Sequence, residues 1–379
     1  MQIVFPNGHY ILHGKPLPES APARPFNRVA YAAAHVVADP LTNADPSGPP
    51  AIDWAKTLAF RTHLLDLGFG IAEAMDTSQR GMGLDWPSAL ELVRQSLAHA
   101  GSRAHLIASG CGTDHLAPQD ARSLDDVTAA YLQQLHAIQK LGGRVILMAS
   151  RALVKVAKSP DDYVKVYSRV LSEADHPVIL HWLGEMFDPA LKGYWGADHF
   201  EQTLETALAV INANVAKVDG IKISLLDDQK EVVMRRRLPA SVKMYTGDDF
   251  NYPELIAGDA QGFSHALLGI FDAIAPAASA ALSALASGDR ATYDRLMAPT
   301  VPLSRLIFRA PTQFYKTGIV FLAWLNGHQD HFVMVNGAQA MRPLPYFIDC
   351  FKLADQAGLL RDPDLATARM RKLLNLYGA

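Results

Sequence analysis

Val218-Asp219-Gly220-Ile221-Lys222-Ile223-Ser224-Leu225 is an apolar run with a cation near its centre. Side chains on a β-strand alternate between two faces. Ile221, Ile223 and Leu225 therefore share one face, and Lys222 and Ser224 share the other. A lysine placed this way is either a solvated edge residue or a buried amine, and burial favours its neutral, nucleophilic form. Which of the two applies depends on whether the sheet has an edge at that point.

The same unit of short apolar strand, polar loop and amphipathic helix recurs on both sides of this run. The expected strands are residues 28–37, 70–75, 104–109, 144–149, 177–182, 220–225, 242–246 and 262–267. The helices that follow the first seven are expected at 53–67, 86–100, 123–141, 159–173, 197–213, 229–237 and around 252–257. Ser159-Pro160-Asp161-Asp162 combines a capping serine, a proline at the first helical position and acids in the first turn. Eight such units over roughly 250 residues match a (β/α)8 TIM barrel. A doubly wound open sheet fits less well, because no glycine-rich dinucleotide loop follows the first strand. Ahead of the barrel, residues 2–5 and 9–12 alternate around Pro6-Asn7-Gly8 as a β-hairpin. After it come helical patterns at 289–297, 310–326, 344–357 and 364–376. The fold class expected is α/β: a TIM barrel with an N-terminal β-hairpin and an α-helical C-terminal extension. Its parts are a hairpin and connector (1–25), the barrel (26–272) and the helical region (273–379). A closed barrel has no edge, so Lys222 reads as facing inward.

The composition is that of a globular protein, with 49% apolar and 19% charged residues among 379. A net charge of −3 gives no support for nucleic acid or an anionic membrane as partner. Arg235-Arg236-Arg237 ends an amphipathic segment and reads as a solvated helix end. Two cysteines, Cys111 and Cys350, are too few for a disulfide framework and form no CxxC pair. The opening residues read as no signal peptide, and the most apolar stretch near the end, Gly318 to Leu325, is too short to span a bilayer. A cytoplasmic protein is the expectation.

In a barrel, chemistry sits at the carboxyl ends of the strands. That filter selects Asp76, Thr77, Ser78 and Arg80 after strand two, and Thr113-Asp114-His115 after strand three. It also selects Arg151 after strand four, His181 at the end of strand five, and Lys222 with Ser224 on strand six. Tyr245, Asp248 and Asp249 follow on strand seven, and Ser264 with His265 on strand eight. His181 is either a hydrogen-bonded core histidine or a general base. Thr77 and Ser78 offer hydroxyls to a carboxylate or oxyanion, or merely cap a loop. Arg80 and Arg151 are carboxylate clamps or surface ion pairs. Asp248 and Asp249 either order a loop or bind hydroxyls. Asp114 and His115, with Asp76 and His181, resemble a divalent site, but their spacing matches no strong zinc pattern.

Several pieces, in order, resemble the dihydrodipicolinate synthase / N-acetylneuraminate lyase superfamily of class I aldolases. Arg28-Val29-Ala30-Tyr31-Ala32-Ala33, followed by Ile52-Asp53-Trp54, is similar to its first strand and helix. Asp76-Thr77-Ser78-Gln79-Arg80 stands in the place of its carboxylate-binding Gly-Thr-Thr-Gly-Glu loop. Pro177-Val178-Ile179-Leu180-His181-Trp182 resembles its Pro-Ile-Ile-Leu-Tyr-Asn strand. Gly220-Ile221-Lys222-Ile223-Ser224 resembles the segment with its Schiff-base lysine, and Thr246-Gly247-Asp248-Asp249 its Ser-Gly-Asp-Asp. Within that superfamily the chain resembles a dihydrodipicolinate synthase-like family of unknown function. The resemblance covers roughly residues 26–326. It departs at two points: His181 replaces the family's proton-relaying tyrosine, and the carboxylate loop lacks both glycines.

The resemblance implies a metal-independent lyase or aldolase that needs no cofactor. Lys222 would form an iminium with a small-molecule carbonyl substrate, a keto acid or keto sugar, and His181 would move the proton. Asp76, Thr77, Ser78, Arg80, Arg151, Ser224, Tyr245, Asp248 and Asp249 would bind substrate. It also implies a homo-oligomer, dimer or tetramer. Two alternatives stay open: a divalent-metal sugar isomerase or epimerase on the same barrel, and a non-catalytic binding protein.

Overall fold

The computed structural model describes residues 1–22, 24–75 and 80–379. The expectations for Asp76, Thr77 and Ser78 therefore lie outside the described residues.

Eight parallel strands close into a barrel in sequence order, with the eighth pairing back onto the first. They are Ala30–Ala32, Gly70–Glu73, Ile107–Cys111, Arg144–Leu147, Val178–Leu183, Val218–Ser224, Lys243–Thr246 and His265–Leu268. Alternation along these strands separates two cores. Outward residues such as Ile71, Ile107, Leu180, Ile221 and Ile223 join the cluster beneath the helices. Inward residues, among them Tyr31, Ala72, Ala108, Ile146, Ile179 and Tyr245, form a second cluster inside the barrel.

Small inward residues make room for large ones. A Cβ on Gly70 would lie 2.6 Å from the Tyr31 ring, and one on Gly220 would lie 2.6 Å from the Tyr245 ring. The two tyrosine rings lie 6.2 Å apart. The Tyr245 hydroxyl donates to Asp219 Oδ2 at 2.6 Å. Asp219 is near the start of its strand, so this layer plugs the amino end of the barrel.

Three strands depart from the sequence expectation by three residues or more: the first, expected over 28–37, spans only Ala30–Ala32, and the third and eighth begin late. The third strand begins later because residues Gly101–Leu106 form a 3-10 turn first. The eighth begins at His265 because Asp259 and Gly262 pair across a tight turn. Ser264 and His265 therefore sit at the amino end of that strand, a correction to their placement among residues at the catalytic face. Ser264 donates to Glu231 on the outer wall, and His265 Nδ1 accepts from the Val29 N–H.

The hairpin Gln2–Phe5 and Gly8–Ile11 packs on the far end of the chain. Phe5 meets Phe351 edge-on at 6.0 Å, and the Tyr10 hydroxyl donates to Asp355 at 2.8 Å. Six helices follow the barrel: Ala275–Ala286, Arg290–Met297, Thr300–Ile307, Tyr315–Leu325, Leu344–Gln356 and Pro363–Leu376. Every residue of Tyr315–Leu325 is buried. Each large apolar side chain so enclosed contributes roughly 1.5–3 kcal/mol, so the extension is fused to the barrel rather than appended. Among the described residues, no helix is long and apolar enough to cross a membrane.

Candidate active site

Strand six lies between strands five and seven, with Lys222 opposite His181 on one side and Tyr245 on the other. Lys222 and Ser224 alternate with Ile221 and Ile223, so both polar groups point into the barrel near its carboxyl end. Lys222 is 5% exposed and His181 is fully buried. His181 Nε2 and Ser224 Oγ are 3.2 Å apart. Strand seven closes on the lysine only because residue 247 is glycine. A Cβ there would lie 2.7 Å from Lys222 Cε and 2.5 Å from the Ile223 carbonyl oxygen.

Burial pushes the His181 imidazole well below its ordinary value, and the nearby Lys222 charge adds to the effect. At neutral pH His181 is therefore uncharged. It can accept a proton in passing but holds none in reserve.

Beyond Gly247 the two aspartates diverge. Asp248 folds back to cap the next segment, accepting from the N–H groups of Phe250 (2.8 Å) and Asn251 (3.0 Å) and from Asn251 Nδ2 (2.9 Å). Asp249 is 3% exposed and accepts from the Ile270 N–H at 2.8 Å. Ser304 Oγ donates to its backbone carbonyl. Burial raises the Asp249 carboxyl, the Ile270 bond and then the charges of Lys222 and Lys316 draw it back, and it settles at about 7.

The remaining expected residues separate in space. Arg80 is buried and its donors are taken: Asp114 receives Nε at 3.1 Å and Nη2 at 2.6 Å, and the Gly110 carbonyl receives Nη1 at 2.6 Å. Asp114 and His115 both meet Gln134, at 2.9 and 2.8 Å, while His181 stays with Ser224 and Lys222. Among the described residues, no group of three His, Cys, Asp or Glu is arranged to hold a metal ion. Arg151 pairs with Asp188 at 2.5 Å on the rim of a small cleft. Arg80, Thr113, Asp114 and Met148 also line that cleft. Leu147 pairs with Leu180, which places Met148 beside His181. The Tyr245 hydroxyl turns to the opposite end of the barrel, as described above.

A second polar cluster had no place in the sequence reading. Lys316, on the buried helix Tyr315–Leu325, is 0% exposed. Its Nζ donates to the Ala33 carbonyl at the top of strand one and lies 3.4 Å from Asp272 Oδ2. Asp272 also accepts from the His35 N–H at 2.7 Å and contacts His35 Nδ1 at 2.9 Å. Burial alone would raise Asp272, but the charges of His35 and Lys316 outweigh it and hold the carboxyl well below the usual range. Next to this, Arg61 grips Glu73 through two bonds of 2.9 and 2.7 Å and donates to the His35 carbonyl. The signal for Lys316 was the same as for Lys222, a lone lysine in an apolar element: Tyr315-Lys316-Thr317-Gly318-Ile319-Val320-Phe321.

A closed eight-stranded barrel with a helical extension, carrying a lysine on the inner carboxyl end of strand six, has the fold of the dihydrodipicolinate synthase proteins. YagE, a prophage protein of the dihydrodipicolinic acid synthase family from E. coli K12 solved in complex with pyruvate, superposes with a TM-score of 0.68 at 14% identity. The match covers 88% of this chain and 99% of that one. Dihydrodipicolinate synthase from Acinetobacter baumannii complexed with pyruvate gives 0.63 at 15% identity, over 88% and 99%. The 4-hydroxy-tetrahydrodipicolinate synthase from Methylacidiphilum fumariolicum SolV gives 0.64 at 16%, over 92% and 99%. At these identities the likeness is one of fold. The chain itself belongs to a family described as protein of unknown function (DUF993), whose model matches residues 7–379. No curated protein matches it in sequence.

Proposed function

We propose that the protein is a class I lyase or aldolase that binds a keto acid or keto sugar as an iminium on Lys222. The observation that carries this reading is the inward, buried placement of Lys222 at the carboxyl end of the barrel, beside His181 and Ser224. The lysine nitrogen would attack the substrate carbonyl, and loss of water would leave an iminium that accepts electrons from the neighbouring carbon. Carbon–carbon cleavage, condensation or dehydration then becomes accessible. Uncharged His181 would take a proton from substrate and pass it along the Ser224 hydroxyl. Thr77 and Ser78, with Arg151 at the cleft rim, would hold the substrate's carboxylate or hydroxyls. Two structural relatives were solved with pyruvate, which supports a keto acid as the first probe.

The test is turnover of a keto-acid and keto-sugar panel by the wild type and by Lys222→Ala. Turnover lost in the variant supports the reading, and a fully active Lys222→Ala ends it. We also infer a cytoplasmic homo-oligomer, a dimer or tetramer. Light scattering that gave the 41.3 kDa monomer mass would contradict the oligomer.

A further inference from the structure

Lys222 and the small cleft share the carboxyl end of the barrel, and one side chain stands between them. Met148 belongs to the cluster inside the barrel and also lines the cleft. It follows strand four and lies beside His181 on strand five, which in turn sits opposite Lys222 on strand six. Neighbouring strands are about 4.8 Å apart, so two strand spacings put the cleft roughly 10 Å from the lysine.

Two glycines make room for this methionine. A Cβ on Gly110, in strand three, would lie 2.9 Å from its Sδ, and one on Gly112, just after that strand, would lie 3.1 Å from its Cε. The backbone there is pinned. The Met148 N–H donates to the Cys111 carbonyl at 2.8 Å, and the Met148 carbonyl accepts from the Tyr131 hydroxyl at 2.5 Å. Two residues on, the Ser150 N–H donates to the Tyr194 hydroxyl at 3.2 Å. What can move is the thioether chain, unbranched and with three rotatable bonds.

The charges of the cleft are matched in pairs, Arg80 with Asp114 and Arg151 with Asp188. A charged group entering between them meets an opposing charge as well as a partner. A hydroxyl both donates and accepts, so it suits such pairs. Leu116, Pro118 and Leu191 supply an apolar wall for the chain that carries it.

We propose that the cleft holds the far end of the substrate bound at Lys222, that this end carries a hydroxyl rather than a charge, and that Met148 determines which chains reach it; this rests on the iminium reading of Lys222. The carbonyl end sits at the lysine, the chain passes the thioether, and the hydroxyl meets Arg151 and Asp188. A three-carbon carbonyl compound such as pyruvate fills only the inner part of the site.

Cyanoborohydride trapping of the whole protein tests this with four 2-oxo acids: pyruvate, 2-oxooctanoate, 8-hydroxy-2-oxooctanoate and 2-oxosuberate. The readout is the efficiency of adduct formation at Lys222 for each acid, divided by that for pyruvate in the same variant. A general loss of activity or stability leaves this ratio unmoved. In the wild type the hydroxylated acid is expected to exceed pyruvate by roughly 10-fold or more, and to exceed both other eight-carbon acids. Met148→Phe, with a larger and stiffer side chain in the passage, should lower the ratio for the hydroxylated acid by roughly 10-fold. Arg151→Ala, at the exposed rim, should lower it by a similar factor and decides the matter should Met148→Phe not fold. A ratio unchanged in either folded variant, or a wild type that traps pyruvate as well as the hydroxylated acid, would overturn the proposal and leave the iminium reading standing. Preference for 2-oxosuberate would overturn the uncharged end. No adduct at Lys222 with any of the four removes the iminium reading, and this proposal with it.

Discussion

The chain buries two lysines near the same end of its barrel, and their surroundings are built for different ends. Lys316 is enclosed on a helix with no exposed residue and bound to a carbonyl and to a carboxylate held well below its usual range. Charge there is matched by charge. Lys222 points into the barrel, its stem against Gly247, beside an uncharged histidine and a carboxyl settled at about 7. On the proposed reading, the lysine matched by an ionised carboxylate is a structural cation, and the one beside an uncharged histidine is the nucleophile.

The contrast can be broken at either lysine. Lys222→Ala should lower turnover roughly 10³-fold or more while the protein stays folded, by kinetics and circular dichroism. Lys316→Met should do the reverse in kind. It takes the lysine cation from Asp272, leaving that carboxylate to His35 alone among the described residues, and should cost about 3–5 kcal/mol in urea denaturation. A Lys316→Met protein as stable as wild type would remove the structural half of the comparison. Gly247→Ala should sit between them, losing about 1–3 kcal/mol of stability as the methyl meets the Lys222 stem and the Ile223 carbonyl, with reduced activity.

The smallest effect concerns Glu231, buried on the outer wall and accepting from Ser264 at 2.7 Å. Burial pushes its carboxyl up to about 8. A raised acid binds its proton more tightly in the folded state, so its contribution is full below the unfolded value and falls as pH rises toward 8. Glu231→Gln should therefore gain stability relative to wild type as pH rises to 8. The gain should vanish near pH 4, as read by thermal melts at both. The buried histidines carry the opposite sign. Burial lowers His181, so the unfolded chain binds the proton more tightly and stability falls as pH drops below about 6.5.

Much of the fold was legible because local signals agreed with each other. The helix Pro160–Ser172 falls where Ser159-Pro160-Asp161-Asp162 marked its entry, and strands five to seven differ from their expected spans by two residues at most. Errors came where a turn replaced the start of a strand, at Gly101–Leu106 and around Asp259–Gly262, and where the first strand stopped at Ala32 although apolar residues run on to Val37. Composition cannot separate a tight turn from the strand it feeds. For the site, alternation sufficed to aim Lys222 and Ser224 inward. It did not reveal that Arg80 would be consumed by Asp114 and Gln134, or that the Tyr245 hydroxyl would face the other way. It also missed Lys316 and Asp272, which meet across 44 residues from different parts of the fold. Hydrogen-bond partners distant in sequence leave no periodic trace.

Reductive trapping with peptide mapping tests the central claim most directly. The intact protein is incubated with pyruvate or dihydroxyacetone and borohydride, digested, and read by mass spectrometry. The account expects the reduced adduct on the peptide carrying Lys222 and none on the peptide carrying Lys316. An adduct on Lys316, or none on Lys222 with any carbonyl compound that the protein turns over, would contradict it.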